Sequence, residues 1–394
     1  MWNKQRAWGL LLIGLCAFAL QGCFGLGGPA TKSVGTGSGG NTVSVVQNAF
    51  KGKIYATIGH NLYVITGDGS SRQLVGGGNI YDPAVSPDGS KIAFVRRFKD
   101  YSDLDEIAAS GGQAHTLLPG SGKFFQNTGG FEHNTFHWFF EPAWSPDGST
   151  LLFLSDWMKL DYPAQQCTGQ DADMLDLLVF SVPVNNPAQI KPVAYASFGG
   201  GGNRGPSYRP GDANQIVYAH YADIASDGSK QTVQIMLADP RLVTQYPSTY
   251  PCMGGTDSGV AITGQNDQDI QPAYAPGGQA LAYIKNESAT QSGIYVMTLP
   301  TNITQTPNSA ATQQKALLPY KHSSHLLSGT YLSRPAWSPD GKQIAYLIEG
   351  NEELDLWVVN VSHNAQTGAY SVQGSAVQVT SGGIDGDSRF AWTN

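Results

Sequence analysis

The chain has 394 residues, of which 13% are charged and 10% aromatic, and it contains 48 glycines. A charged share well below the usual ~25%, with that much glycine, describes a strand- and loop-rich protein long enough for a substantial core. The formal charge is −7 and no basic cluster stands out, which argues against nucleic acid as a partner.

Residues 1–22 read as a leader. Lys4 and Arg6 form its basic start, and an apolar run from Ala7 to Leu20 follows. That run falls short of the ~20 residues that span a bilayer, and it fits a secretory signal. Leu20-Gln21-Gly22-Cys23 resembles the bacterial lipobox. The resemblance implies that Cys23 becomes the lipidated N-terminus of the mature chain; the other reading is a cleaved secretory protein with an incidental cysteine. Phe24 stands where, in proteobacteria, an Asp tends to hold lipoproteins on the inner membrane.

Residues 23–42 read as a tether, with Gly25, Gly27, Gly28, Gly35, Gly37, Gly39 and Gly40 giving a flexible chain. Residues 35–40 match the glycine spacing of a dinucleotide loop, but no strand precedes them and no helix follows, so that reading fails on context.

From residue 43 to 394 one unit recurs. Its clearest copy is Pro335-Ala336-Trp337-Ser338-Pro339-Asp340-Gly341, followed by Ile344-Ala345-Tyr346-Leu347. Ser-Pro-Asp-Gly is strong turn chemistry: Pro presets φ, Asp bonds nearby backbone, and Gly accepts positive φ. The unit therefore reads as strand, tight turn, strand. Copies begin at Pro83, Pro142, Pro206, Pro272 and Pro335. A sixth copy is split. Phe390-Ala391-Trp392 has a first strand with no sequel, and Ile54-Tyr55-Ala56 has a second strand with no precursor. Joining the halves closes a ring and removes two open edges. Third strands are expected near residues 62–65, 106–109, 177–180, 233–236, 294–297 and 356–359, and fourth strands near 72–75, 114–117, 260–263 and 376–379. The expected fold is all-β: a six-bladed β-propeller closed by pairing the C-terminal strand with N-terminal strands.

The Pro-Ala-Trp-Ser-Pro-Asp-Gly-x-x-Ile-Ala-Tyr pattern resembles the WD40-like (PD40) repeat of the TolB-like propellers, over nearly all of the chain after the tether. The family's namesake is a periplasmic protein of the Tol–Pal system with an additional N-terminal α/β domain, for which this sequence shows no counterpart. The same repeats also occur beside peptidase domains, and certain relatives are metal-dependent pectic lyases with histidine ligands.

No catalytic residues are assigned: the nucleophile-elbow, zincin and Walker signatures are missing. Two histidine pairs, His133/His137 and His322/His325, precede strand-starting prolines. Imidazole is a common metal ligand, but a family ligand pattern does not map onto them, and neither a metal nor a cofactor is expected. Asp82, Glu141, Gly205, Gln271, Arg334 and Arg389 occupy the position before the strand-starting residue. Ring symmetry crowds them at the entrance of the central channel. The motif tryptophans Trp144, Trp337 and Trp392 are expected to pack between blades. Cys167 and Cys252 remain for a disulfide, which an exported compartment permits; bonded and free states both stay open.

The resulting expectation is a non-catalytic, lipid-anchored lipoprotein of the bacterial cell envelope, periplasmic or at the cell surface. It binds an envelope protein or cell-wall component through one loop-rich face. Asp82, Glu141, Arg334 and Arg389 form that face, with Phe136, His137 and Trp138 at its edge, because aromatic residues are frequent binding hot spots. Loops 131–140, 156–173 and 322–332 are expected to share it. In the contrary arrangement, the aromatic loop folds down and plugs the channel. The alternative functions are a metal-dependent, lyase-like carbohydrate enzyme on the same ring, and a structural spacer.

Overall fold

A computed structural model of the chain describes residues 30–36, 42–122, 136–157, 176–196, 201–223, 231–245, 255–256, 258–299, 310–350 and 353–394. Cys23, His133, Cys167 and Cys252, with the leader, lie outside the described residues.

The fold is an all-β propeller. Each repeat forms an antiparallel meander of four strands. The second sheet, for example, runs Ile80–Val85, Lys91–Arg97, Ser102–Ala108 and His115–Leu118. The first strands of the next sheets are Phe139–Trp144, Gly202–Arg209, Asp269–Tyr274 and Ser333–Trp337. The split repeat joins: Ala391 pairs with Tyr55, Trp392 with Ile54 and Thr393 with Lys53. The first strands abut around a closed circuit, with Ala391–Thr393 between Ser333–Trp337 and Ile80–Val85.

The count differs from the expected six blades. Seven sheets of three or four strands are present among the described residues. The seventh is three-stranded: Thr31–Thr36, Thr42–Val46 and Thr380–Ser381. The repeat signature does not encode this sheet, so counting signatures misses it. Thr31–Thr36 lies inside the glycine-rich stretch read as a tether. Val43 and Val45 bury into a shared core with Ile54, Leu347, Leu356 and Phe390. The seventh sheet therefore wedges against the first and the sixth. Burying two Val side chains stabilises it by about 3 kcal/mol or more.

The Ser-Pro-Asp-Gly turns form as their chemistry demands. Ser86, Ser145 and Ser338 donate to Asp88, Asp147 and Asp340 at 2.6, 2.6 and 2.7 Å. Gly89, Gly148 and Gly341 take φ of 71°, 69° and 69°. The indole of Trp144 donates to the Ala84 carbonyl of the preceding sheet at 2.9 Å, and that of Trp337 to Ala273 at 3.2 Å. Trp392 differs: it donates to Lys51 and meets Phe50 edge-on.

Three elements depart from expectation. A helix spans Ala310–Lys321, and Ser324–Thr330 is the outer strand of the fifth sheet, paired with Gln291–Thr298. The stretch 322–332 is thus mostly strand, not a loop entering the sixth sheet. Lys191–Ala194 supplies an outer strand to the third sheet that its sequence did not announce.

Candidate functional site at the channel mouth

Five first strands carry the same defect. Between Tyr81 and Ala84 the strand has one residue more than its partner, and the same happens between Phe140/Ala143, Arg204/Ser207, Ile270/Ala273 and Ser333/Ala336. The extra residue falls at the x-Pro step, where Pro has no N–H to give the ladder. A bulge re-aims side chains, and here the residue before Pro turns into the left-handed region. Asp82, Glu141, Gln271 and Arg334 have φ of 53°, 50°, 53° and 56°, and Gly205 has 65°. A non-glycine residue pays on the order of 1 kcal/mol for this. Repeating that cost around the ring places every one of these side chains toward the axis.

The geometry also laces the sheets together. Asp82 Oδ2 accepts from the Glu141 N–H at 3.2 Å, Glu141 Oε2 from the Gly205 N–H at 2.5 Å, and Gln271 Oε1 from the Arg334 N–H at 2.6 Å. Asp82 Oδ1 accepts from the Arg389 N–H at 2.9 Å. Each acceptor side chain thus satisfies the backbone donor that the neighbouring bulge frees.

Asp82, Glu141, Gly205, Gln271, Arg334 and Arg389 all line one cavity of about 690 Å³. The sequence reading brought these six together correctly. It missed Arg97, Arg204, Tyr221 and Asp387, which also line it. Arg97 ends the second strand of its sheet and Asp387 precedes the closing strand, so neither carries a repeat signal. Arg204 sits beside Gly205 and was open to view only once the bulge was known.

Two buried carboxylates behave oppositely. Burial, reinforced by Glu141, pushes the Asp82 carboxyl up. Burial also opposes ionisation of Glu141, but Arg389, Arg334 and the Gly205 N–H outweigh it and hold its carboxyl below the usual range. Arg334 Nη1 bonds Glu141 Oε1 at 3.1 Å. Arg97 lies 3.9 Å from Asp82 and 3.8 Å from Asp387.

An aromatic rim continues outward. Arg97 lies over the Tyr81 ring at 3.6 Å and the Phe140 ring at 5.1 Å. His60 stacks on Tyr81, and Trp138 stacks on Phe140. Phe98, Tyr101 and Phe136 form a second stack, with centroids 4.6 and 5.9 Å apart. Phe98 and Phe136 are 37% and 45% exposed. The aromatic residues at the start of the third sheet therefore divide. Phe136 faces solvent, Phe139 is core, and Phe140 lines the cavity. The wholly inward plug does not describe them. His137 is fully buried, and burial lowers its pKa to about 4. It therefore does not reach the exposed edge expected for it. Trp138 is half-buried, with its backbone N–H on Asp156 at 3.0 Å, so residues 136–140 meet residues 156–157.

His325 lies on the outer strand of the fifth sheet, tilted against the Tyr295 ring and 3.5 Å from Glu287. The structure does not bring it to His137. Among the described residues, no three His, Cys, Asp or Glu side chains gather as a metal site.

No protein-family model matches the chain, and no curated protein does. Solved structures share the fold. TolB from Acinetobacter baumannii superposes with a TM-score of 0.53 at 16% identity, over 89% of this chain and 68% of that one. An oligogalacturonate lyase in complex with manganese gives 0.45 at 13% identity, over 87% and 83%. The oligogalacturonate lyase of Vibrio parahaemolyticus gives 0.44 at 12% identity, over 89% and 84%. At these identities the likeness is one of fold: a TolB-like propeller.

Proposed function

We propose that this propeller is an envelope binding module and that its working surface is the face around the channel mouth. The observation that carries the reading is the pairing of a charged, deep cavity with an exposed aromatic stack, Phe98–Tyr101–Phe136, beside it. Exposed aromatics are costly unless a partner covers them, and they are frequent hot spots. Asp82, Glu141, Arg334 and Arg389 form the floor of the site, and Phe136 and Trp138 its edge. The partner is an envelope protein or a cell-wall component.

The lipobox-like Leu20–Cys23 supports export and anchoring through Cys23. Among the described residues no helix is long and apolar enough to cross a membrane. Cys23→Ser should move the protein from the membrane to the soluble fraction. Unchanged fractionation with no lipid in the mass spectrum removes the anchor.

The binding test places a photo-crosslinking residue at Phe136 in the native envelope and identifies the product. Phe98→Ala/Phe136→Ala is then assayed against that partner. Both side chains are exposed, so the fold should be unaffected. Loss of about tenfold or more in affinity is expected. Undiminished affinity takes this rim out of the site.

A further inference from the structure

We propose that the central cavity binds a ligand carboxylate on the guanidiniums of Arg204 and Arg389, which line it together. The lining holds four guanidiniums, Arg97, Arg204, Arg334 and Arg389, against three carboxylates, Asp82, Glu141 and Asp387. The arginines are not equally engaged. Arg334 is taken by Glu141, and Arg97 faces Asp82 and Asp387. Among the described residues, Arg204 and Arg389 have no carboxylate within 4.0 Å, although Arg389 acts on the Glu141 carboxylate from farther off. Arg204 Nη1 reaches the Asn203 carbonyl at 2.7 Å, and Arg389 Nη1 the Pro206 carbonyl at 3.4 Å. A guanidinium has five N–H donors, so most of theirs remain for a ligand. The bond to Pro206 brings Arg389 within two residues of Arg204.

There is also space. Gly205 holds the position at which the five other repeats place Asp, Glu, Gln or Arg, so the ring lacks one inward side chain here. The cavity volume of about 690 Å³ lies within the ~300–1,000 Å³ range of ligand sites. Tyr221 supplies a wall over which Arg204 lies at 5.8 Å. Planar, forked donors match a carboxylate with two parallel bonds. A partner's acidic side chain or a small organic acid both present that group.

This inference deepens the binding reading but is tested without any partner. The probe is succinate, titrated by calorimetry against sodium chloride at matched ionic strength, with inorganic phosphate in a parallel arm. Saturable succinate binding is expected, weakened about tenfold or more in Arg204→Gln and in Arg389→Gln, and unchanged in Lys99→Gln, which alters an exposed charge outside the cavity. If a Gln variant fails to fold, phenylglyoxal labelling of the unaltered protein replaces it: succinate should protect Arg204 and Arg389, read by mass spectrometry. No saturable succinate binding, equal binding by folded Arg variants, or absence of protection overturns the proposal. Binding of phosphate with exclusion of succinate overturns its carboxylate assignment.

Discussion

Arg334 and Glu141 meet across the channel. Their 3.1 Å bond joins the sixth and third four-stranded sheets, which stand opposite one another in the circuit of first strands. The pair is largely dry, with side chains 18% and 11% exposed. It is held on both sides, since Glu141 also accepts from Gly205.

Removing one member should therefore be costly. Glu141→Ala leaves a guanidinium and a backbone N–H without their acceptor, and breaking a buried pair costs about 3–5 kcal/mol. Glu141→Gln keeps an acceptor and should lose less. The acid side follows from linkage. The folded carboxyl titrates below its ordinary 4.5, so its contribution is present above that value and is lost as pH falls through the folded one. Urea unfolding should show an acid-labile component below about pH 4.5 that Glu141→Gln lacks.

Asp269 should work in the opposite direction. It is fully buried at the start of its strand, and burial raises its pKa to about 7 against the pull of Tyr320 and Lys285. A carboxyl raised in the folded state binds its proton more tightly there than in the unfolded chain. Its stability contribution is full below the ordinary value near 4 and declines as pH rises toward 7. At about 1.4 kcal/mol per unit, the decline is on the order of 2–4 kcal/mol. Asp269→Asn should flatten it, so the variant's unfolding midpoint should gain on the unaltered protein between pH 5 and 8. Parallel curves would show that Asp269 does not titrate in this range.

The fold was legible because the repeat repeats its turn chemistry. Ser86, Ser145 and Ser338 each bond the Asp two residues on, so sequence and geometry coincide at the three Ser-Pro-Asp-Gly copies. The site was legible in the same way, because ring symmetry carries the residue before Pro to the axis. What stayed hidden lacks periodicity. Thr31–Thr36 owes its strand to Val43 and Val45 docking between two other sheets, which is tertiary information. Ser324–Thr330 follows the helix Ala310–Lys321, whose Pro319 and mixed composition concealed it. His137 looked like a loop histidine, and only packing shows that its neighbours enclose it. Asp387 sits outside any repeat position and enters the cavity by closure alone.

The indoles should be separable from their rings. Trp144→Phe keeps an aromatic body against the neighbouring sheet and loses the bond to Ala84. A net cost of about 1 kcal/mol is expected, and the same for Trp337→Phe. Trp144→Ala should cost about 3–5 kcal/mol by opening a cavity. Equal losses in the Phe and Ala variants, measured by urea unfolding, would mean that the hydrogen bond rather than packing holds the sheets.

Gly205→Gln tests the gap in the ring. Left-handed φ usually forbids such a change, but Asp82, Glu141, Gln271 and Arg334 already accept φ near 50° at equivalent bulges. The new Cβ would lie 3.3 Å from Pro272 Cδ and 3.9 Å from Gln271 Cα. The first contact is tight and needs a small shift of the proline ring. Strain of on the order of 1 kcal/mol is set against a gain of about 0.4–1 kcal/mol from a less free unfolded chain. Stability should thus change by less than about 1 kcal/mol. The added side chain can reach toward Gln271 as Asp82 reaches Glu141, extending the lacing by one step. It would also occupy the space beside Arg204 and Arg389. The expected outcome is a near-native unfolding midpoint with succinate binding strongly reduced. A near-native midpoint with full succinate binding would place the anion away from Gly205, and a collapse of stability would show that this bulge, unlike the other four, tolerates glycine alone.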